Sequence, residues 1–183
     1  MAVGKLLANL PNLITLARLL MTPVAVSMML EHRFVEAFGI FIIAGISDGL
    51  DGFVAKRFHL QSELGAYLDP LADKALLISI YVTLAALGEL SPALPILVVT
   101  RDVMIVAAIM VSWLLGNPVA IRPVFVSKVN TTLQILFAAL LLGSRAFGLH
   151  ADFAQEIGAW LVAASTLASG AVYITAWLDH MSH

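Results

Sequence analysis

Long apolar runs alternate with short polar links along the whole chain, and no stretch shows the two-residue alternation of a half-buried strand. The pattern predicts an all-α, polytopic membrane protein: six transmembrane helices with a short amino-terminal surface helix. Residues 1–10 read as an amphipathic piece on the membrane surface, with Lys5 toward the headgroups and Pro11-Asn12 as punctuation. Spans are expected at about 13–30, 34–54, 64–87, 93–115, 124–142 and 156–177, separated by links rich in Gly, Pro and charge. The last span is the cleanest hydrophobic run, and its Ala, Ser and Gly residues suit close helix packing. No repeat, low-complexity tract or linker interrupts the pattern, so residues 1–183 are expected to form a single membrane domain.

Composition sharpens this. Of the residues, 61% are hydrophobic and only 12% are charged, more apolar surface than a soluble domain of 183 residues can bury. A mean hydropathy of +0.97 agrees. Cysteine is absent, which removes disulfides, thiolate metal sites and a Cys nucleophile. The formal net charge of -2 says little about partners, and no nucleic-acid partner is expected. No cleavable signal peptide is apparent near the start, so the first span is expected to direct insertion itself.

Lys5, Lys56, Arg57 and Arg122 fall on one side of the membrane, Arg33 and Arg145 on the other. That bias places both termini in the cytoplasm, in a bacterial-type inner membrane. Arg18, Lys74, Lys128 and the acidic residues described next then lie toward the cytoplasmic ends of their helices. The expected shape is a polar cavity open to the cytoplasm above a drier outer half.

The candidate chemistry is concentrated in residues 48–73, where Asp48 and Asp51 are three apart and Asp69 and Asp73 four apart. Residues at those spacings share a helix face, so each pair makes one acidic stripe, and the link 56–62 returns the second stripe beside the first. Carboxylates in lipid are costly and usually mark function. Four of them together cannot all stay ionised without cations between them. Two divalent ions would balance the charge, and oxygen ligands favour Mg, Ca or Mn. Gly52, Ala55 and Gly65 leave room for a ligand against the helices. Lys56, Arg57, Arg101, Arg122 and Lys128 are candidates for phosphate oxygens. The structural alternative pairs the aspartates with Arg18, Lys74, Arg101 and Lys128 as plain ion pairs.

Asp48-x2-Asp51-Gly52-x2-Ala55, then Gly65-x3-Asp69-x3-Asp73, resembles the signature of the CDP-alcohol phosphotransferases. Lys56 stands where that family usually has Arg, which keeps the charge without the two-pronged grip. Pro11-Asn12-x2-Thr15-x2-Arg18 is similar to the family's amino-terminal motif. The resemblance implies a six-helix membrane enzyme, usually a homodimer, that transfers a phosphatidyl group from a CDP-linked lipid to an alcohol and releases CMP. It implies two divalent cations, Mg or Mn, held by Asp48, Asp51 and Asp69, with Asp73 on the second metal and acting as general base. Asp48, Gly52, Ala55, Lys56, Gly65 and Asp69 would border the CDP group, with Asn12, Thr15 and Arg18 close by.

For the acceptor, Arg101-Asp102 and Arg122-Pro123-x3-Ser127-Lys128-x-Asn130-Thr131-x2-Gln134 look most like the CMP-forming cardiolipin synthases, which use phosphatidylglycerol. The phosphatidylglycerophosphate synthases have a similar layout and use glycerol 3-phosphate. Arg101, Arg122 and Lys128 would form the acceptor-phosphate pocket in either case. Arg101 sits about nine residues into its span, deeper than the Asp stripes, and a structural partner in Asp102 is the alternative. Two other classes remain to be weighed: a carboxylate-based ion or proton transporter, and a non-catalytic membrane scaffold. The fixed Gly offsets favour the enzyme over the transporter, and the four aspartates favour it over the scaffold.

Overall fold

A computed structural model describes residues 2–58, 63–114, 116 and 125–181, with side chains described for 14–48, 71–114, 116 and 125–181. The described residues form six helices and no strand: α1 (Ala2–Leu30), α2 (Phe34–Phe58), α3 (Glu63–Ala86), α4 (Ala93–Leu114), α5 (Phe125–Phe147) and α6 (Asp152–Met181). α4, α5 and α6 are long and apolar enough to cross a membrane, and Ile14–Leu30 of α1 is a shorter apolar segment. Large apolar side chains such as Leu114, Phe125, Phe153 and Trp160 face outward, as lipid-facing surface does. The chain is an integral membrane protein.

α1 differs from the expected surface piece plus span. It is one helix of 29 residues that runs through Pro11. Proline holds a helical φ and removes only one backbone hydrogen bond, a loss that membrane helices tolerate. α2, α5 and α6 also extend beyond the expected apolar runs, because backbone hydrogen bonding continues into the polar flanks after hydropathy has fallen.

α1 packs against α2 and α3, α2 against α5, α5 against α6, α6 against α4, and α4 against α3; α3 also touches α5 across the middle. The helices thus close a ring around the α3–α5 contact. Gly88 and Gly148 end α3 and α5 with positive φ. In both, the amide of the following residue returns to a carbonyl five positions back, Glu89 to Leu84 and Leu149 to Ser144.

The buried faces change character along the helices. On α1 the buried stripe is Thr15, Arg18, Thr22, Ala25 and Met29, at three- and four-residue steps. On α5 it runs from Asn130 and Gln134 to Phe137, Ala138, Leu141 and Leu142. Leu76, Ile80, Tyr81 and Leu84 of α3 join the apolar end, with Leu94 and Val98 of α4. One end of the bundle is therefore mostly apolar, its buried Thr83 and Ser144 bonded to their own helices, and the other carries the buried Arg18, Arg101, Asn130 and Gln134. Tyr81 bridges the two, its hydroxyl donating to the Gln134 carbonyl oxygen at 3.0 Å.

Candidate active site

Arg18 occupies the point where the α1 stripe turns polar. Its side chain is 1% exposed, and Nη1 lies 2.9 Å from Asp48 Oδ1 and 2.5 Å from Asp73 Oδ1. The two carboxylates come from α2 and α3 and are 42% and 43% exposed. They meet at Arg18 beside α1 and still reach open space. The buried Thr22 hydroxyl one turn on is satisfied within α1, donating to the Arg18 carbonyl oxygen at 3.2 Å.

A second charged group lies across the same opening. Lys74 Nζ contacts Asp102 Oδ2. Asp102 Oδ1 accepts from Arg101 Nη1 at 2.7 Å. Arg101 Nη2 donates to Ser127 Oγ at 2.7 Å and to Ser169 Oγ at 2.5 Å. Its Cζ stands 5.3 Å from the centroid of the Tyr173 ring, within cation–π range. Arg101 thus ties α4 to α5 and α6, and through Asp102 to α3.

A cavity of about 440 Å³ joins the two groups. Arg18, Asp48, Asp73, Lys74 and Asp102 line its polar part, while Phe41, Ile46, Leu76, Leu77, Ile135 and Leu136 are among its apolar walls. It is shaped to take a charged head and an aliphatic body together.

Of the expected site residues, Thr15, Arg18, Asp48 and Asp73 come together around the polar end of α1. Lys128 is exposed on α5. Arg101, expected at an acceptor phosphate, is buried and engaged by Asp102, Ser127 and Ser169, and does not line the cavity. Its depth in α4 is the reason: a cation that far into the bundle is retained only with partners around it. The side chains of Asn12, Asp51, Gly52, Ala55, Lys56, Arg57, Gly65 and Asp69 lie outside those described, and Arg122 lies outside the described residues. Lys74 and Asp102 were not among the expected site residues, although an Asp directly after a membrane-embedded Arg was a readable sign of a polar wall.

Among the described side chains no three acidic or His groups gather as a metal site, and those of Asp51 and Asp69 are not among them. The two that are described suit a cation. Oxygens from separate helices already converge on one positive nitrogen, and both are hard donors open to the cavity.

The model of the CDP-alcohol phosphatidyltransferase family matches residues 8–177. The chain belongs to this family. Its relatives include the chloroplastic CDP-diacylglycerol--glycerol-3-phosphate 3-phosphatidyltransferase 1 of Oryza sativa subsp. japonica, 34% identical over 90% of this chain and 56% of that protein. The CMP-forming cardiolipin synthase of Rattus norvegicus is 34% identical over 89% of this chain and 59% of its own length. The chain therefore spans less than two thirds of those two relatives. A CDP-diacylglycerol--glycerol-3-phosphate 3-phosphatidyltransferase of Rickettsia felis is 28% identical, with 92% of this chain and 94% of that protein covered. The aspartates that carry the resemblance include Asp48 and Asp73, which line the cavity.

Proposed function

We propose that the protein transfers a phosphatidyl group from CDP-diacylglycerol to an alcohol acceptor, releasing CMP, in phospholipid synthesis. One observation carries this reading: a single cavity has Asp48 and Asp73 at its polar part and aliphatic walls behind them. A nucleotide-linked lipid needs both surfaces at once, whereas a path for ions has no use for the aliphatic wall.

Asp48, Asp51, Asp69 and Asp73 hold two divalent cations, Mg or Mn, in this reading; such ions, when bound, neutralise the diphosphate and polarise its phosphorus. Asn12, Thr15, Gly52, Ala55, Lys56 and Gly65 border the CDP group. Arg18 fixes the direction of both described carboxylates. Asp73 takes the proton from the acceptor hydroxyl. That oxygen bonds to the phosphatidyl phosphorus as the bond from phosphorus to the CMP oxygen breaks, and CMP leaves.

Phosphatidylglycerol is the first acceptor proposed, which would make cardiolipin; the run Arg101-Asp102 with Ser127-Lys128-x-Asn130-Thr131-x2-Gln134 supports it, while the 34% identity to a cardiolipin synthase is equalled by that to a glycerol-3-phosphate phosphatidyltransferase. Glycerol 3-phosphate is the second, supported by the Rickettsia felis relative whose length the chain nearly spans. Arg122 and Lys128 serve the acceptor phosphate, with Arg101 behind them.

All six helices are proposed to span the membrane. The shortest has 22 residues, which at about 1.5 Å per residue reaches across a core of roughly 30 Å. The polar end faces the cytoplasm, the whole chain is one domain, and two copies form a homodimer.

The test offers purified protein CDP-diacylglycerol and Mg or Mn with either acceptor, and identifies the lipid formed. Cardiolipin from phosphatidylglycerol supports the first reading, and phosphatidylglycerophosphate from glycerol 3-phosphate the second. Ion flux into vesicles without CMP release would reject both.

A further inference from the structure

The charge on the two sides of the cavity is unequal. Among the described residues, the Arg18 guanidinium on one side meets two carboxylates, Asp48 and Asp73. On the other the single carboxylate of Asp102 faces two cations, Lys74 and Arg101. Among the described residues the second side carries two cations against one carboxylate, and Lys74 and Asp102 line the cavity. Partly dehydrated excess charge is stabilised by a counter-charge from the ligand. The Lys74 side calls for an anion.

Of the two cations on the second side, only Lys74 reaches the cavity. Arg101 is buried, shares its Nη groups among Asp102, Ser127 and Ser169, and does not line the cavity. Lys74 lines the cavity and its side chain is 45% exposed. An ammonium has three N–H donors, and Asp102 takes one. Lys74 and Asp73 both line the cavity, so a group held by Lys74 there shares that space with the Asp73 carboxylate.

We infer that Lys74 is an acceptor-binding residue that grips a phosphate carried by the acceptor alcohol, and that Asp102, fixed from behind by Arg101, is the positioning residue that keeps its ammonium at the cavity wall. This rests on the phosphatidyl-transfer reading and adds a residue to it: Lys74 meets the phosphate ester of the acceptor, whether the free phosphomonoester of a small polyol or the phosphodiester of a lipid. Arg101 then acts through Asp102 and not by touching the acceptor.

The test measures CMP release by wild type, Lys74→Gln, Lys74→Arg and Asp102→Asn, with glycerol 3-phosphate and phosphatidylglycerol as the two acceptor arms. In the arm the wild type uses, Lys74→Gln is expected to raise the acceptor KM roughly tenfold or more and to leave the KM for CDP-diacylglycerol within about twofold. Lys74→Arg recovers most of that loss, and Asp102→Asn raises the same KM by a smaller factor. As a measurement independent of turnover, the acceptor slows modification of Lys74 by an amine-reactive reagent, read by mass spectrometry. An unchanged acceptor KM in Lys74→Gln, or a fall confined to kcat, overturns the inference while wild-type CMP release leaves the phosphatidyl-transfer reading standing. Misfolding of Lys74→Gln leaves the decision to Lys74→Arg and to the labelling, where no protection by either acceptor overturns it. A wild type that releases no CMP with either acceptor rejects the underlying reading, and this inference with it.

Discussion

Arg18 of α1 places Nη1 2.5 Å from Asp73 Oδ1 on α3, and the same nitrogen meets Asp48 of α2 at 2.9 Å. One buried cation thereby joins three helices at the polar end of the bundle. The arrangement explains how two carboxylates that point the same way tolerate each other.

Removing that cation has a predictable cost. Arg18→Ala leaves two facing carboxylates and a void in a stripe otherwise closed by Thr15 and Thr22. Breaking a fully buried ion pair costs about 3–5 kcal/mol, but these carboxylates are 42% and 43% exposed, so roughly 1–3 kcal/mol is expected. The fall is read as a lower thermal midpoint in detergent, and Arg18→Lys should recover part of it. A midpoint equal to wild type would contradict the bridging role.

Divalent cations compete for the same oxygens. A cation that binds only the folded protein stabilises it, by about 2.7 kcal/mol at a hundred times its dissociation constant. Mn or Mg is expected to raise the thermal midpoint of the wild type, and chelation to reverse this. In Asp48→Asn with Asp73→Asn, the rise should shrink or vanish. A rise of the same size in the double variant would place the cations elsewhere.

Asp73 has a narrower prediction. Replacing a general base typically lowers the rate by about 10²–10⁴-fold. Asp73→Asn keeps the size of the side chain and an oxygen for Arg18, so the fold should survive while CMP release falls by that order. Size-exclusion profiles and turnover measured on one preparation separate loss of fold from loss of chemistry.

The dry end offers a packing prediction. A β-carbon on Gly158 of α6 would come within 2.5 Å of the Phe137 ring of α5. That ring is buried and edge-on to Tyr81, with centroids 6.1 Å apart, so it has little room to retreat. Gly158→Ala is expected to lose about 1–3 kcal/mol from overpacking. In a Phe137→Leu background the added cost should shrink, because the clashing atoms are gone.

How much of this could be read in the chain depends on the kind of interaction. The six helices and the clustering of acid near the polar ends followed from hydropathy and from three- and four-residue spacing, which are local properties. Arg18 was placed near the nucleotide by motif, yet nothing local says that α1 lies against both α2 and α3, so its bridge between Asp48 and Asp73 was not legible. The run from Lys74 through Asp102 and Arg101 to Ser169 spans three helices far apart in sequence and has the same explanation. The continuity of α1 through Pro11 escaped because a proline is a weaker barrier inside a membrane helix than in water.

The α1–α2 turn carries one further consequence. His32 has φ 58°, the left-handed position that Gly88 and Gly148 fill at the ends of α3 and α5. Its amide returns to Met29 at 2.9 Å, and that of Arg33 to Met28 at 2.8 Å, so the same cap is built around a residue with a β-carbon. Left-handed backbone costs a non-glycine residue about 1–2 kcal/mol. Glycine would lift that cost but give back roughly 0.5–1 kcal/mol of unfolded-state entropy and a ring contact with Phe34 at 6.0 Å. The balance predicts that His32→Gly stabilises by a few tenths to about 1 kcal/mol. The reciprocal change, Gly88→Ala, meets open space around its β-carbon, so its expected loss of about 1 kcal/mol comes from backbone alone. Thermal midpoints of the two variants moving in opposite directions would confirm that the cap, and not the side chain it carries, sets the stability of these turns.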